Sequence, residues 1–135
     1  MREPCALLSV YDKTGIEAFA RALADKGWRI YASGGTARTL AAAGIASTDV
    51  AALVGGSAIL GHRVVTLSRE IHAGLLARPV PEDLAELDRL GVPFIDLVCV
   101  DLYPLADEVG RPGSTAESVI DKTDIGGPTM LRSAA

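Results

Sequence analysis

Cys5-Ala-Leu-Leu-Ser-Val10 is an apolar run of strand length, and Thr14-Gly-Ile-Glu17 behind it has the Thr-x-x-Glu spacing of a capping box. From there Ile16, Phe19, Ala20, Leu23 and Ala24 recur at intervals of three and four, one face of a helix that stops at Gly27. Trp28–Ala32 reads as a second short strand, and Ser33-Gly34-Gly35-Thr36 follows at once. A second helix is expected from Thr36 to Ala43, closed by Gly44. Strand, helix, strand and helix at this spacing predict an α/β fold: a parallel sheet with helices on both faces, in three layers.

The rest of the chain continues the alternation. Residues 46–62 are weakly patterned and predict a loop with a short helix or strand. Pro81-Glu82-Asp83 opens a helix whose inner face is Leu84, Leu87 and Leu90 and which Gly91 closes. Phe94–Val100 is a continuous apolar run broken only by Asp96, as suits a strand buried on both faces. Gly126-Gly127-Pro128 turns into a last helix. The 135 residues predict one domain, without repeats or a low-complexity linker.

Hydrophobic residues make up 49% of the chain and charged residues 22%, a balance that excludes disorder. Thirteen basic against 17 acidic side chains give a net charge of −4, which argues against nucleic acid or an anionic membrane as partner. No apolar stretch reaches the roughly 20 residues a membrane span needs, and no signal core follows Met1, so a cytoplasmic location is expected. Cys5 and Cys99 sit in apolar runs and read as reduced, buried thiols; a disulfide or a metal pair is the lesser alternative.

In parallel sheets of this kind ligands lie beyond the carboxyl ends of the strands. Three such ends carry chemistry: Tyr11-Asp12-Lys13, Ser33-Gly34-Gly35-Thr36 and Asp101-Leu102-Tyr103-Pro104. Two glycines let the backbone approach an anion, the helix behind adds free N–H groups, and Ser33 and Thr36 add hydroxyls. Lys13 at a neighbouring strand end makes a phosphate dianion the expected ligand. No G-x-G-x-x-G and no P-loop lysine is present, so a dinucleotide or triphosphate is not indicated.

Six segments, in order, carry a resemblance: residues 9–15 (Ser-Val-Tyr-Asp-Lys-Thr-Gly), 33–37, 63–67 (Arg-Val-Val-Thr-Leu), 71–78, 101–104 and 124–132 (Asp-Ile-Gly-Gly-Pro-Thr-Met-Leu-Arg). They resemble the inosine monophosphate cyclohydrolase domain, within the methylglyoxal-synthase-like superfamily. The Ser-Gly-Gly-Thr turn is common to the superfamily, whereas the 124–132 segment is much more specific. The resemblance implies a methylglyoxal-synthase-like fold, a homodimer, no metal and no cofactor. The implied reaction closes a formamido-imidazole-carboxamide ribotide to inosine monophosphate with loss of water. No counterpart of the transformylase domain lies within these residues, so formyl transfer is not expected.

By the same resemblance Tyr11, Asp12, Lys13, Ser33, Gly34, Gly35 and Thr36 lie along a ribonucleoside 5′-monophosphate. Arg63, Val65 and Thr66 flank it, Asp124 with Ile125, Gly126 and Gly127 faces the base, and Tyr103 supplies a phenol. From the residues alone, Tyr103 could instead end a strand and Asp124 could cap the last helix. His72 is expected at the site's edge and His62 in a solvated loop.

The departures from the family pattern bear on activity. Val65 replaces an active-site lysine, Ser68-Arg69 replaces His-Pro, and Asp101 replaces an asparagine; the family's next lysine falls just past Arg132-Ser133-Ala134-Ala135. Together the first and third make the base end about two charges more negative, which at close range is worth a few kcal/mol. Asp101 is therefore expected to face the pocket, as a third catalytic group beside Tyr103 and Asp124. Two functions stay open: a divergent cyclohydrolase-like enzyme, and a catalytically weak module that binds a nucleotide phosphate. Methylglyoxal synthase is a weaker third, since its Asp–His constellation is not seen.

Overall fold

The computed structural model describes residues 1–135. Four parallel strands, β1 (Cys5–Ser9), β2 (Arg29–Ala32), β3 (Thr48–Asp49) and β4 (Leu97–Val100), form one sheet in the order β3-β2-β1-β4. The helices are α1 (Ile16–Asp25), α2 (Gly34–Ala42), α3 (Ala51–Val54), α4 (Arg69–Leu76), α5 (Pro81–Leu90), α6 (Leu105–Gly110), α7 (Ala116–Asp121) and α8 (Gly126–Ala134).

β1 explains the layering, because alternate side chains of a strand point to opposite faces. Ala6 and Leu8 pack with Ile16, Ala20 and Leu23 of α1 and Leu40 of α2. Cys5 and Leu7 pack the other way, with Ile71 of α4 and Met130 of α8. The three layers expected from the sequence are present. The two thiols fall on opposite faces: Cys99 adjoins the first cluster and Cys5 lies in the second, where burial pushes its thiol up to about 11.

Three readings of local structure need correction. Thr14 and Glu17 form no capping box: the Thr14 amide donates to Asp12 Oδ1 at 2.9 Å, and left-handed Gly15 is the N-cap of α1. The box the chain does make is Thr115 with Ser118, at the start of α7. The ladder of β4 begins at Leu97, three residues later than expected, because the Asp96 amide bonds to the Cys5 carbonyl and the Asp96 carboxylate is taken by Arg2 and the Cys5 amide. Finally, β4 is apolar on both faces, Leu97 and Cys99 toward one cluster and Val98 and Val100 toward the other, yet it is half-buried because it lies at the sheet edge.

The N-terminal end of β4 is gripped from two sides. The Ile95 amide donates to the Gly74 carbonyl at 3.0 Å, and a side chain at Gly74 would place its Cβ 2.6 Å from the Pro93 carbonyl oxygen. Gly74→Ala should therefore cost about 1–3 kcal/mol, the range for overpacking a filled core, read as a lower denaturant midpoint. An unchanged midpoint would show that α4 can retreat from β4 freely. On the other side Arg2 forms a fork with Asp96 at 2.6 Å, and this pair holds the carboxyl below the usual carboxylate range. A carboxylate depressed on folding stabilises at pH above its unfolded value, and that contribution disappears as pH falls through the folded value. Asp96→Asn should accordingly flatten the acid side of the stability curve while costing stability near neutrality; parallel curves would refute this.

Candidate active site

The chain leaves β1 toward β2 on one side and, much later, enters β4 on the other, so the crevice of the fold opens between the carboxyl ends of β1 and β4. A cavity of about 390 Å³ lies there, within the range of small-molecule sites. Of the residues singled out in the sequence, Tyr11, Lys13, Ser33, Gly35, Thr36, Arg63, Val65, Thr66, Asp101, Tyr103, Asp124, Ile125, Gly126 and Gly127 line it. Asp12 and Gly34 do not. The Asp12 carboxylate is turned back to the Thr14 amide, which also holds its pKa below the ordinary value.

One end of the cavity is cationic. Lys13 Nζ and Arg38 Nη2 converge on Gly35: a Cβ there would lie 3.6 Å from one and 3.7 Å from the other. Arg38 reaches the spot because helical side chains lean toward the N-terminus, which brings a residue in the second turn of α2 over its first glycines. The first N–H groups of α2 have no intrahelical partners, so two cations and a helix N-terminus share one corner. Burial lowers the Lys13 pKa, Asp101 opposes that, and Arg38 adds to it. The ammonium itself donates to the carbonyls of Val10 and Tyr11.

Two residues expected to face a ligand have their hydroxyls engaged within the protein instead. Thr36 is fully buried; its hydroxyl donates to the Val10 carbonyl at 3.2 Å and accepts from the Val10 amide at 3.1 Å. The Ser33 hydroxyl donates to Ser9 Oγ at 2.8 Å. Asp101 is the larger departure. It was expected to aim its carboxylate at a ligand, but Oδ1 accepts from the Tyr11 amide and Oδ2 from the Asp12 amide at 2.8 Å. A carboxylate can satisfy two adjacent N–H donors with two oxygens, whereas an asparagine has one acceptor and would turn its NH₂ against the other donor. Asp101 therefore acts through the turn that carries Lys13.

The opposite end is acidic and aromatic. Tyr103 stands edge-on to Tyr11 and to His62, with ring centroids 5.7 Å apart in both pairs. Burial first, then Asp124 and Asp121, raise the Tyr103 phenol above its ordinary range. Asp124 Oδ1 accepts from the Gly127 amide at 3.1 Å, so the carboxylate caps α8 while it lines the cavity. Gly126 and Gly127 are required by close approach. A Cβ on Gly126 would fall 2.5 Å from Thr66 Oγ1, and one on Gly127 would meet Leu102 and Asp124 at 2.9 and 3.0 Å.

Val65, half-buried, lines the cavity and packs against the cluster of Leu7, Ile71 and Met130, so this position presents an apolar side chain to the cavity wall. His62 stands in a solvent-exposed turn, as expected, and also lines the cavity; His72, expected at its edge, does not, and its Nδ1 lies 2.7 Å from Ser133 Oγ. Arg38, His62 and Asp121 are the charged or titratable lining residues that sequence reasoning missed; Ser9, Val10, Ile120, Thr123 and Met130 complete the lining. For Arg38 the spacing was available: it stands three and four residues past the glycines of its own helix.

The double acceptance by Asp101 can be tested at the backbone. Asp101→Asn should speed hydrogen exchange of the Tyr11 and Asp12 amides about tenfold or more, the scale set by weakening one charge-assisted hydrogen bond. Exchange unchanged at both amides would leave the carboxylate without a role in the turn.

Comparison with known proteins agrees with this architecture. The MGS-like domain family matches residues 15–129. A curated relative, the bifunctional purine biosynthesis protein PurH of Deinococcus deserti, is 47% identical over 130 residues, 96% of this chain and 25% of the relative. The chain thus spans about a quarter of that protein's length. Among solved structures, that of ForH superposes with a TM-score of 0.79 at 40% identity, covering 98% of this chain and 68% of the other. By the span of the family match and these identities, the chain belongs to the MGS-like domain family.

Proposed function

We propose that this protein is a cyclohydrolase-like enzyme that closes a formamido-imidazole-carboxamide ribotide, or a related ribotide, to a purine nucleotide with loss of water. The observation that carries the reading is the convergence of Lys13 and Arg38 on the α2 glycines, across one cavity from Tyr103 and Asp124. Two like charges held together at a helix N-terminus repel until an anion joins them, and a phosphate dianion suits that corner. The identity to PurH, a purine biosynthesis protein by name, supports a purine ribotide as the molecule behind the phosphate.

Ring closure needs the two arms of the substrate aligned, an acceptor for an amide proton and a donor toward the developing oxyanion. The geometry supports Asp124 as the carboxylate that orients the amide N–H beside the base and the protonated Tyr103 phenol as the hydrogen-bond donor toward the oxyanion. Lys13 and Arg38 hold the phosphate, and Asp101 and Thr36 hold the turn that carries Lys13. Ile59, Leu60, Ile120 and Ile125 are exposed large apolar residues, which supports the homodimer as part of the same reading. No helix is long and apolar enough to cross a membrane.

The competing reading is a module that binds the nucleotide without chemistry, and one observation favours it: Val65 offers no cation where the family has lysine. Both arms of one experiment decide. The formylated ribotide is supplied and the absorbance of inosine monophosphate is followed, and affinities for inosine and its 5′-monophosphate are measured in parallel. Ring closure by the wild-type protein is expected, slower than the roughly 10 per second of a median enzyme. Lys13→Ala should weaken the monophosphate about ten- to a hundredfold and leave the nucleoside nearly unchanged. Monophosphate binding without ring closure would assign the module; equal affinities for the two ligands would overturn the phosphate site.

A further inference from the structure

The ring closure proposed above lacks one component in the groups already placed. Its first step moves a proton from nitrogen to oxygen, and its second moves another from nitrogen to a leaving hydroxyl. Tyr103, held above the ordinary phenol range, donates a hydrogen bond near neutrality but does not give up its proton. Lys13 lies at the phosphate corner, and Val65 carries no proton at all. A side chain that takes and returns a proton near pH 7 is needed at the acidic end, and among side chains histidine is suited to it.

His62 stands there. It sits in a tight hairpin closed by paired hydrogen bonds between Ile59 and Val64, at 2.9 and 3.3 Å. The turn requires left-handed backbone at Leu60 (φ 54°) and Gly61 (φ 79°), and Arg63 Nε fastens it by donating to the Leu60 carbonyl at 2.8 Å. Leu60 is the one residue other than glycine with positive φ, a conformation that persists where the surroundings impose it. The strained turn sets the imidazole edge-on to Tyr103 at 5.7 Å, lining the cavity, with Nε2 3.5 Å from Asp121 Oδ1. Asp121 lines the same cavity from the end of α7.

We propose that His62, oriented by Asp121, is the proton carrier of this site, an inference that rests on the ring-closure reading. The carboxamide nitrogen lone pair forms a bond to the formyl carbon, and the carbonyl π pair moves to oxygen. The nitrogen loses one proton to the imidazole, and the oxygen gains one from it, giving a neutral carbinolamine. In the second step the former formamido nitrogen gives up its proton to the neutral imidazole as the C=N bond forms, and the imidazolium passes that proton to the departing hydroxyl, which leaves as water and restores the imidazole. The sum is one ribotide to one purine nucleotide and one water, with His62 unchanged. Asp121 and Tyr103 adjoin the ring, Asp124 and Arg63 line the same cavity, and Lys122 Nζ lies 5.6 Å from the Tyr103 ring.

The test is the pH dependence of kcat and kcat/KM for ring closure in the wild-type protein, His62→Gln, His62→Ala and Asp121→Asn. His62→Gln should lower kcat about a hundredfold or more with KM nearly unchanged, and should abolish the limb of the profile near neutrality. Asp121→Asn should give an intermediate loss, and added imidazole should restore part of the His62→Ala rate, which a lost packing contact would not permit. Retention of the wild-type profile in His62→Gln, or loss of rate with the limb intact and no rescue, overturns this proposal alone. A wild-type protein that binds the monophosphate but closes no ring at any pH overturns the ring-closure reading and this one with it.

Discussion

Beyond Ser9 the central strand runs out of ladder partners while three successive backbone amides, Val10, Tyr11 and Asp12, still need acceptors. Thr36 takes the first and the two oxygens of Asp101 take the others. Thr36 arrives from the turn after β2 and Asp101 from the end of β4, so the carboxyl ends of three strands are tied at one place. The part-buried Val10 amide would cost roughly 1–3 kcal/mol unsatisfied, and the more exposed Tyr11 and Asp12 amides make charge-assisted bonds to Asp101, so these side chains are constrained before any ligand enters. That constraint puts Lys13 beside Gly35, since the turn it rides on is bonded on both flanks. The residues that a sequence reading nominates as ligands are here partly the framework that holds the ligands' partners.

The cavity is polarised as a result. Lys13, Arg38 and the start of α2 occupy one corner, while Asp121, Asp124 and the raised phenol of Tyr103 occupy the other. Between them Val65, half-buried, packs against the core beneath. A cation placed at Val65 would shield the acidic end from within, whereas here Lys122 approaches the aromatic pair, its Nζ 5.6 Å from the rings of both Tyr11 and Tyr103. The base end is thus balanced by a cation held against ring faces, worth about 0.5–2 kcal/mol per contact according to its solvation.

Much of this was legible because it follows from short-range pattern. The apolar run from Cys5, helical spacing from Ile16 to Leu23 and the paired glycines after β2 specify layers, crossover and the glycine turn at the cavity without any distant contact. What was not legible depends on partners far apart in the chain. Asp101 reads as a free carboxylate until Tyr11, 90 residues away, is brought to it. Thr36 reads as a donor to a ligand until the end of β1 claims its hydroxyl. His62 is the exposed turn residue it reads as, but nothing local reveals that Asp121 will stand opposite it. The misplaced capping box has the same origin, on a smaller scale: Asp12 competes for the Thr14 amide and wins.

The two glycines at the start of α8 show how such distant contacts set precision. Thr66 presses on Gly126 from the segment after the His62 hairpin, and Leu102 and Asp124 press on Gly127. A methyl group at either position would push one of them back by several tenths of an ångström. The segment after the hairpin, the end of β4 and the helix start therefore approach more closely than a side chain at either position would allow. Proton transfer and ring closure are steep in distance, with misplacement of about 1 Å costing on the order of a hundredfold. In a site assembled from loops rather than rigid elements, that tolerance is supplied by the absence of side chains at two positions.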